Sequence, residues 1–278
     1  MLKRRYLHVY CAKSEKMDII NYNSIAWDKQ VEKQNEWTQV VSKEQVAEAK
    51  KGQWQVVLTP HKAVPKSWFG DVAGKKVLCL ASGGGQQGPI LAALGAEVTV
   101  YDLSQKQLSQ DRYVAQRDDL TIHTIQGDMT DLSIFKDESF DLIFHPCSNS
   151  FVPDIAPLWQ EASRVLKQNG RLLSGFINPT AYIFDWFKAE KGEIAVRHKL
   201  PYSDINNLTE TELNELKQQN EPFVFSHSLE DQIKGQLENG LVLVDMFEDN
   251  WDAMGFSAYF PPTMACLTIK LAHDVWIR

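Results

Sequence analysis

The stretch Val77-Leu78-Cys79-Leu80-Ala81-Ser82-Gly83-Gly84-Gly85-Gln86-Gln87-Gly88 constrains the fold more than any other part of the chain. Four consecutive apolar residues without alternation suit a strand buried on both faces. The glycines that follow satisfy the spacing G-x-G-x-x-G, and Pro89 to Leu94 reads as a helix with proline in its first turn and Gly95 past its end. Glycine has no Cβ, so this order of strand, tight turn and helix lets a ligand approach backbone N–H groups at a helix N-terminus. A tight turn without a ligand has the same pattern, so the turn alone does not decide function.

The alternation continues downstream. Glu97 to Tyr101 reads as a second strand, and Ser104 to Gln107 as a capping box for a helix through about Arg117. Leu120 to Ile125 and Phe140 to Phe144 read as third and fourth strands. Asp154 caps a helix in which Ala156, Trp159, Ala162, Val165 and Leu166 recur at helical spacing, with Asn169-Gly170 ending it and Arg171 to Phe176 forming a fifth strand. The prediction is an α/β fold: a doubly wound, mostly parallel sheet with helices on both faces, over residues 71–179.

Appendages surround that core. Ser24 to Gly52 reads as two helices, with a capping box at Ser42-Lys43-Glu44-Gln45, so residues 17–70 are expected to form a helical N-terminal cap. Trp27, Trp37, Trp54 and Trp68, half of the chain's eight tryptophans, fall in it. After Asn178-Pro179 the rhythm stops, and residues 180–227 read as an inserted lid or substrate region, its start marked by Tyr182, Phe184, Asp185, Trp186 and Phe187. That cluster suits either an aromatic substrate pocket or packing of lid on core. Residues 228–278 supply a short helix, Ser228 to Glu238, and two apolar runs, Leu241 to Phe247 and Met264 to Leu271, expected to close the sheet as an antiparallel hairpin. Residues 1–16 are expected to be a leader or an arm, with Met17 as an alternative start.

A chain of 278 residues with 44% hydrophobic residues can bury a full core. Its net charge of −7 argues against a nucleic-acid partner, since binding a phosphate backbone calls for a basic surface. No apolar run reaches the roughly 20 residues needed to cross a bilayer, so a cytoplasmic protein with no membrane partner is expected. Cys11, Cys79, Cys147 and Cys266 lie far apart and the histidines do not join them at ligand spacing, so no metal site is expected.

Asp102, directly after the second strand, stands where a carboxylate accepts hydrogen bonds from the two ribose hydroxyls of an adenosine cofactor. Gly127-Asp128-Met129 follows the third strand, Phe140 to His145 spans the fourth, and Val165 to Gly170 precedes the fifth. Taken in order, these segments resemble the class I S-adenosylmethionine-dependent methyltransferases, in particular the small-molecule branch that includes quinone-biosynthesis methyltransferases. The resemblance covers about residues 72 to 178 and lies in the ordered set rather than in any one segment.

The resemblance implies a Rossmann-like methyltransferase fold, S-adenosylmethionine as cofactor and a small-molecule methyl acceptor. It implies that Ser82, Gly83 and Gly85 line the methionine and ribose part of the cofactor, that Asp102 holds the ribose and that Leu103 packs on adenine. Asp128 would take the adenine amino group with Met129 beside the ring, and His145 would sit near the sulfonium. The chain departs from the family pattern at Cys79, where an acidic residue is usual, and at Ala81, where the turn's first glycine is usual.

Methyl transfer needs alignment and exclusion of water more than it needs a base. In the loop after the fourth strand, His145 is a candidate base and Asn149 a candidate for orienting the acceptor; a structural role for His145 is the competing reading. Cys147 has no predicted neighbour that would lower its pKa and reads as structural. The glycine turn and Asp102 also suit a nicotinamide-dependent oxidoreductase, and a non-catalytic S-adenosylmethionine-binding module is a third reading. The sequence leaves the oligomeric state open.

Overall fold

The computed structural model describes residues 18–271; the expected leader or arm over 1–16, and Met17, lie outside them. Helix α1 (Ile19–Glu32) begins at Asp18, whose side chain accepts from the Asn21 N–H, and α2 (Lys43–Lys50) opens with both halves of the capping box between Ser42 and Gln45. A short 3-10 turn, Glu36–Thr38, separates them, and a single helical turn, α3 (Lys66–Phe69), leads into the sheet.

The core alternates β1 (Lys76–Leu80), α4 (Gln87–Ala93), β2 (Glu97–Asp102), α5 (Gln105–Asp118), β3 (Ile122–Gln126), β4 (Phe140–His145), α6 (Ala156–Val165) and β5 (Leu166–Ile177). The insertion carries α7 (Trp186–Ala189), α8 (Asp204–Asn207) and α9 (Glu210–Gln219) but no strand of its own. A π-helical turn, Glu230–Lys234, and α10 (Gly235–Glu238) precede β6 (Leu241–Asp249) and β7 (Thr263–Lys270). The seven strands lie in the order β3-β2-β1-β4-β5-β7-β6. The first five are parallel, β7 runs antiparallel to β5, and β6 antiparallel to β7, as expected of the closing pair.

The continuous apolar run of β1 follows from burial on both sides. Val77 and Cys79 belong to the cluster under α4 with Ile90, Leu91 and Val100, while Leu78 and Leu80 pack with Trp159, Ala162 and Val165 of α6. These four residues of β1 are fully buried, and Lys76 at its start is exposed. A helix on each face is what removes the polar alternation of an exposed sheet.

Three local expectations need correction. The helix over 156–166 does not run to Asn169-Gly170: it ends at Val165, because Leu166 already pairs with Phe140 of β4. The residues up to Gly170 form an irregularity, with Asn169 at φ 60°. The third strand starts at Ile122 rather than Leu120, since Asp119 takes a left-handed cap at φ 52° and the Leu120 N–H bonds back to Ala115. Ser104 caps α5, but the box is half made: the Ser104 N–H goes to Asp102 at 2.9 Å, leaving the Gln107 side chain free to point elsewhere.

The N-terminal elements are fastened to the core and to the insertion by buried polar groups. Asn23 donates to the Phe151 and Phe223 carbonyls and accepts from the Phe223 N–H, at 2.8 to 3.1 Å. With both amide hydrogens and the oxygen engaged, this buried amide costs little and specifies where α1 sits. Asp28 accepts from the Ser104 hydroxyl at 2.5 Å and the Lys106 N–H at 3.0 Å, which joins α1 to the first turn of α5.

Candidate active site

A cavity of about 990 Å³ opens at the C-terminal ends of β1, β2 and β4. The parallel strands all end at this edge, so their following loops converge on one crevice. Ser82, Gly83, Asp102, Leu103, Asp128 and Met129 all line it. These six were singled out from three separate strand ends, and the sheet brings them together.

The glycine turn is held by carboxylates from two sides. Asp102 accepts the Gly83 N–H through one oxygen and the Ser104 N–H through the other, both at 2.9 Å. A Cβ at Gly83 would lie 3.0 Å from that Asp102 oxygen and 2.8 Å from Gln107 Cβ, so only glycine lets the turn close on Asp102. Burial pushes the Asp102 carboxyl up to about 6 against the pull of its backbone hydrogen bonds. Asp111 of α5 is fully buried behind the turn and accepts the Gly84 N–H at 3.0 Å. Burial pushes it up to about 8, and its second oxygen has no partner.

Asp111 bears on the departure at Cys79. Burial, then the neighbouring Asp111 carboxylate, push the Cys79 thiol up, so it stays a neutral core group. Asp111 binds the turn's backbone from α5 but does not line the cavity. At Ala81 the backbone keeps the left-handed φ of 47° that a glycine would adopt more easily.

Gly85, His145 and Asn149 do not line the cavity, which corrects the roles expected of them. Gly85, at φ 71°, faces the arm, the N-terminal segment over residues 27–62: its carbonyl accepts the Val41 N–H, and a Cβ there would lie 2.8 Å from Val40 Cγ1. His145 is fully buried, with its Nδ1–H donating to the Leu80 carbonyl at 2.9 Å and its ring edge-on to Trp159. Burial holds the imidazole down at about 4, so it is neutral and out of reach of an acceptor. Asn149 is spent on Gln232, to which its amide donates at 2.8 Å. Both sit at the right end of β4, but the chain turns their side chains into the packing beneath α6 and the π-helical turn.

Sequence reasoning missed Gln107 and Asp111. The buried stripe of α5 is Gln107, Leu108, Asp111 and Val114, and two polar residues on a stripe meant for the core were the available signal. Gln107 Oε1 is buried at the cavity wall with no partner, an acceptor left for a donor from outside the chain. With Asp102 and the Gly83 backbone beside it, this end of the cavity fits a hydroxyl-rich group such as the ribose of an adenosine cofactor. Cys147 lines the cavity, but burial, and then the charge of Asp249, push its thiol up and keep it protonated.

The N-terminal arm crosses the turn. The Val41 N–H reaches the Gly85 carbonyl at 2.9 Å and the Gln86 amide reaches the Gln39 carbonyl at 3.0 Å, so the stretch 37–41 lies along it. Further along, Thr59, His61 and Lys62 all donate to one oxygen of Asp249 at 2.8 to 2.9 Å. Trp27, Trp37 and Trp54 of this arm line the cavity together with Trp186 and Trp251. Among the described residues no group of histidines, cysteines and acids is arranged to hold a metal.

A family description for a methyltransferase domain matches residues 78–174. The uncharacterized methyltransferase YbaJ of Bacillus subtilis (strain 168) is 54% identical over 231 residues, 83% of this chain and 91% of that protein. A ubiquinone biosynthesis O-methyltransferase of Nitrosococcus oceani is 34% identical over 121 residues, covering 43% of this chain and 51% of that protein. Among solved structures, an S-adenosylmethionine dependent methyltransferase from Mesorhizobium loti aligns with a TM-score of 0.56 at 17% identity, over 73% of this chain and 94% of that one. At that identity the likeness speaks for the fold alone.

Proposed function

We propose, since this chain belongs to the S-adenosylmethionine-dependent methyltransferases, that it methylates a small molecule bound in the single cavity shared by the glycine turn and the tryptophans of the arm. The observation that carries the reading is the cavity itself. Ligand sites run from about 300 to 1,000 Å³, and a volume of about 990 Å³ leaves room for a donor and an acceptor together.

The donor, when bound, supplies a methyl group activated by attachment to a sulfonium. The chain's part is to hold and align. Asp102 would accept the two ribose hydroxyls, with Gln107 Oε1 beside it as a further acceptor. Leu103 and Met129 would flank the adenine ring, and Asp128 would receive its amino group. Ser82 and Gly83 would border the methionine end. The arm over 37–41 and the insertion would keep water from the methyl carbon, which matters because such a displacement is favoured by alignment of the nucleophile and exclusion of water.

No histidine or lysine lines the cavity among the described residues, so the titratable groups on its wall are carboxylates, and the reading assigns none of them as a required base and asks the acceptor to attack through its own lone pair. The acidic balance supports a small-molecule acceptor rather than nucleic acid, and a cytoplasmic setting belongs to the same reading. Among the described residues no helix is long and apolar enough to cross a membrane.

Calorimetric titration with S-adenosylmethionine, S-adenosylhomocysteine and NAD tests the donor. Both sulfur compounds should bind and NAD should not; binding of NAD alone would sink the reading.

A further inference from the structure

Trp37, Trp186 and Trp251 meet at one corner of the cavity. Trp251 stands between the other two, with ring centroids 6.2 Å from Trp37 at an interplanar angle of 81° and 5.8 Å from Trp186 at 86°. All three line the cavity, and they come from the arm, from α7 and from the connection between β6 and β7. Their placement is fixed: the Trp186 indole N–H donates to the Ala181 carbonyl at 2.8 Å, and Ser257 brackets the Trp251 backbone from both sides at 2.7 and 3.2 Å. One face of Trp186 is stacked on Tyr182, with ring centroids 5.2 Å apart, and the indole surface left to the cavity carries the negative quadrupole that attracts a cation without neutralising it.

The charges around the cavity have one sign. Glu36, Glu44, Glu48, Asp102 and Asp128 line it, and no lysine, arginine or histidine does among the described residues. The Lys66 ammonium lies over Trp54 at 5.1 Å, so the chain fills one indole face with its own cation, whereas none of the three corner indoles carries one among the described residues. A carboxylate or phosphate entering this space would meet carboxylates and aromatic faces, both unfavourable.

We propose that the acceptor is an amine and that the Trp37–Trp186–Trp251 corner holds its nitrogen, which becomes a methylated ammonium. The proposal rests on the methyltransferase reading above and adds the chemical class of its substrate. The acceptor's nitrogen lone pair forms the new N–C bond, the carbon–sulfur bond breaks with its pair going to sulfur, and the positive charge passes from sulfur to nitrogen. The acceptor reacts as its free base; a tertiary amine then has no further proton to lose, and a primary or secondary one releases its proton after transfer to water or to one of the carboxylates that line the cavity. One positive charge is present before and after transfer, so the same acidic, aromatic walls serve both states.

Three compounds of one shape and different charge test it: choline, 3,3-dimethylbutan-1-ol and 3,3-dimethylbutanoate, titrated calorimetrically into the full chain saturated with S-adenosylhomocysteine. Choline should bind at least tenfold more tightly than the alcohol, and the carboxylate more weakly than either. Trp251→Ala should cost choline at least tenfold and Trp251→Phe less, with S-adenosylhomocysteine affinity within twofold of the parent in both. Equal or tighter binding of the alcohol, or of the carboxylate, overturns the proposal, and this comparison on the unaltered protein decides even if a tryptophan variant fails to fold. Loss of S-adenosylhomocysteine binding in the parent protein would instead count against the donor site. In that case choline and the alcohol are compared on the free protein, and the same ratio decides the corner.

Discussion

Ser82, Gly83, Asp102, Leu103 and Gln107 come from one continuous stretch, two strands and the turns after them, whereas Trp37, Trp186 and Trp251 are gathered from three segments far apart in the chain. The first wall is set by local rules: a buried strand must end, glycine permits the turn, and a carboxylate at the end of the next strand accepts the turn's N–H. The second exists only if long-range contacts succeed. These include Asn23 on Phe223, Asp249 on the 59–62 stretch, and Leu58 packed against β5. The two walls should therefore respond differently to substitution, the assembled one through folding and the local one through affinity.

The largest effect is expected where the arm meets the sheet. A Cβ on Gly175 of β5 would lie 2.3 Å from the Leu58 carbonyl oxygen, a backbone atom that no rotamer change can move. Gly175→Ala should destabilise the protein by about 3 kcal/mol, the upper range for overpacking, read by urea unfolding. Unchanged stability would mean that the arm yields, and the contrast between the walls would collapse.

Asp102→Ala attacks the local wall. It should weaken S-adenosylhomocysteine binding at least tenfold, about 1.4 kcal/mol, by calorimetry. An intact affinity would remove Asp102 from the site. The pH dependence sharpens the point, because its two signs differ. Hydroxyl donors prefer the ionised carboxyl, so affinity should fall as pH drops through about 6. In the free protein the same carboxyl sits above its usual range, so protonation relieves its burial and its contribution to stability improves as pH falls towards the unfolded value. Affinity and free-protein stability moving in the same direction would assign the pH effect to another group.

The smallest effect is expected at Ala81. Its φ of 47° costs a residue with a Cβ about 1 kcal/mol, partly offset by the greater freedom of glycine in the unfolded chain. Ala81→Gly should raise the melting temperature slightly and leave donor affinity unchanged. A clear loss of stability would show that the Ala81 methyl has packing of its own, alongside the apolar cluster on which it lies.

Much of the first wall was legible because its signals are short-range. The glycine spacing, the apolar run of β1 and an acid after β2 each report a local physical need, and six of the residues they indicated lie around one cavity. His145 and Asn149 were misread for the same reason. Sequence position placed them at the correct strand end, but side-chain direction there is set by Leu80, Trp159 and Gln232, which belong to other elements. Gln107 was misread as the partner in a capping box, since the competing acceptor for the Ser104 N–H, Asp102, is local in space but belongs to the preceding strand.

By itself the sequence determined the alternation of strand and helix, the closing antiparallel pair and the glycine turn with an acid at the end of the next strand, because periodicity, turn chemistry and burial on two faces act over a few residues. Only the tertiary structure decided which side chains face the cavity. It turned His145 inward, set Asp111 behind the turn, and brought three distant indoles to one corner. Such contacts depend on how separate elements pack, and no spacing along the chain encodes them.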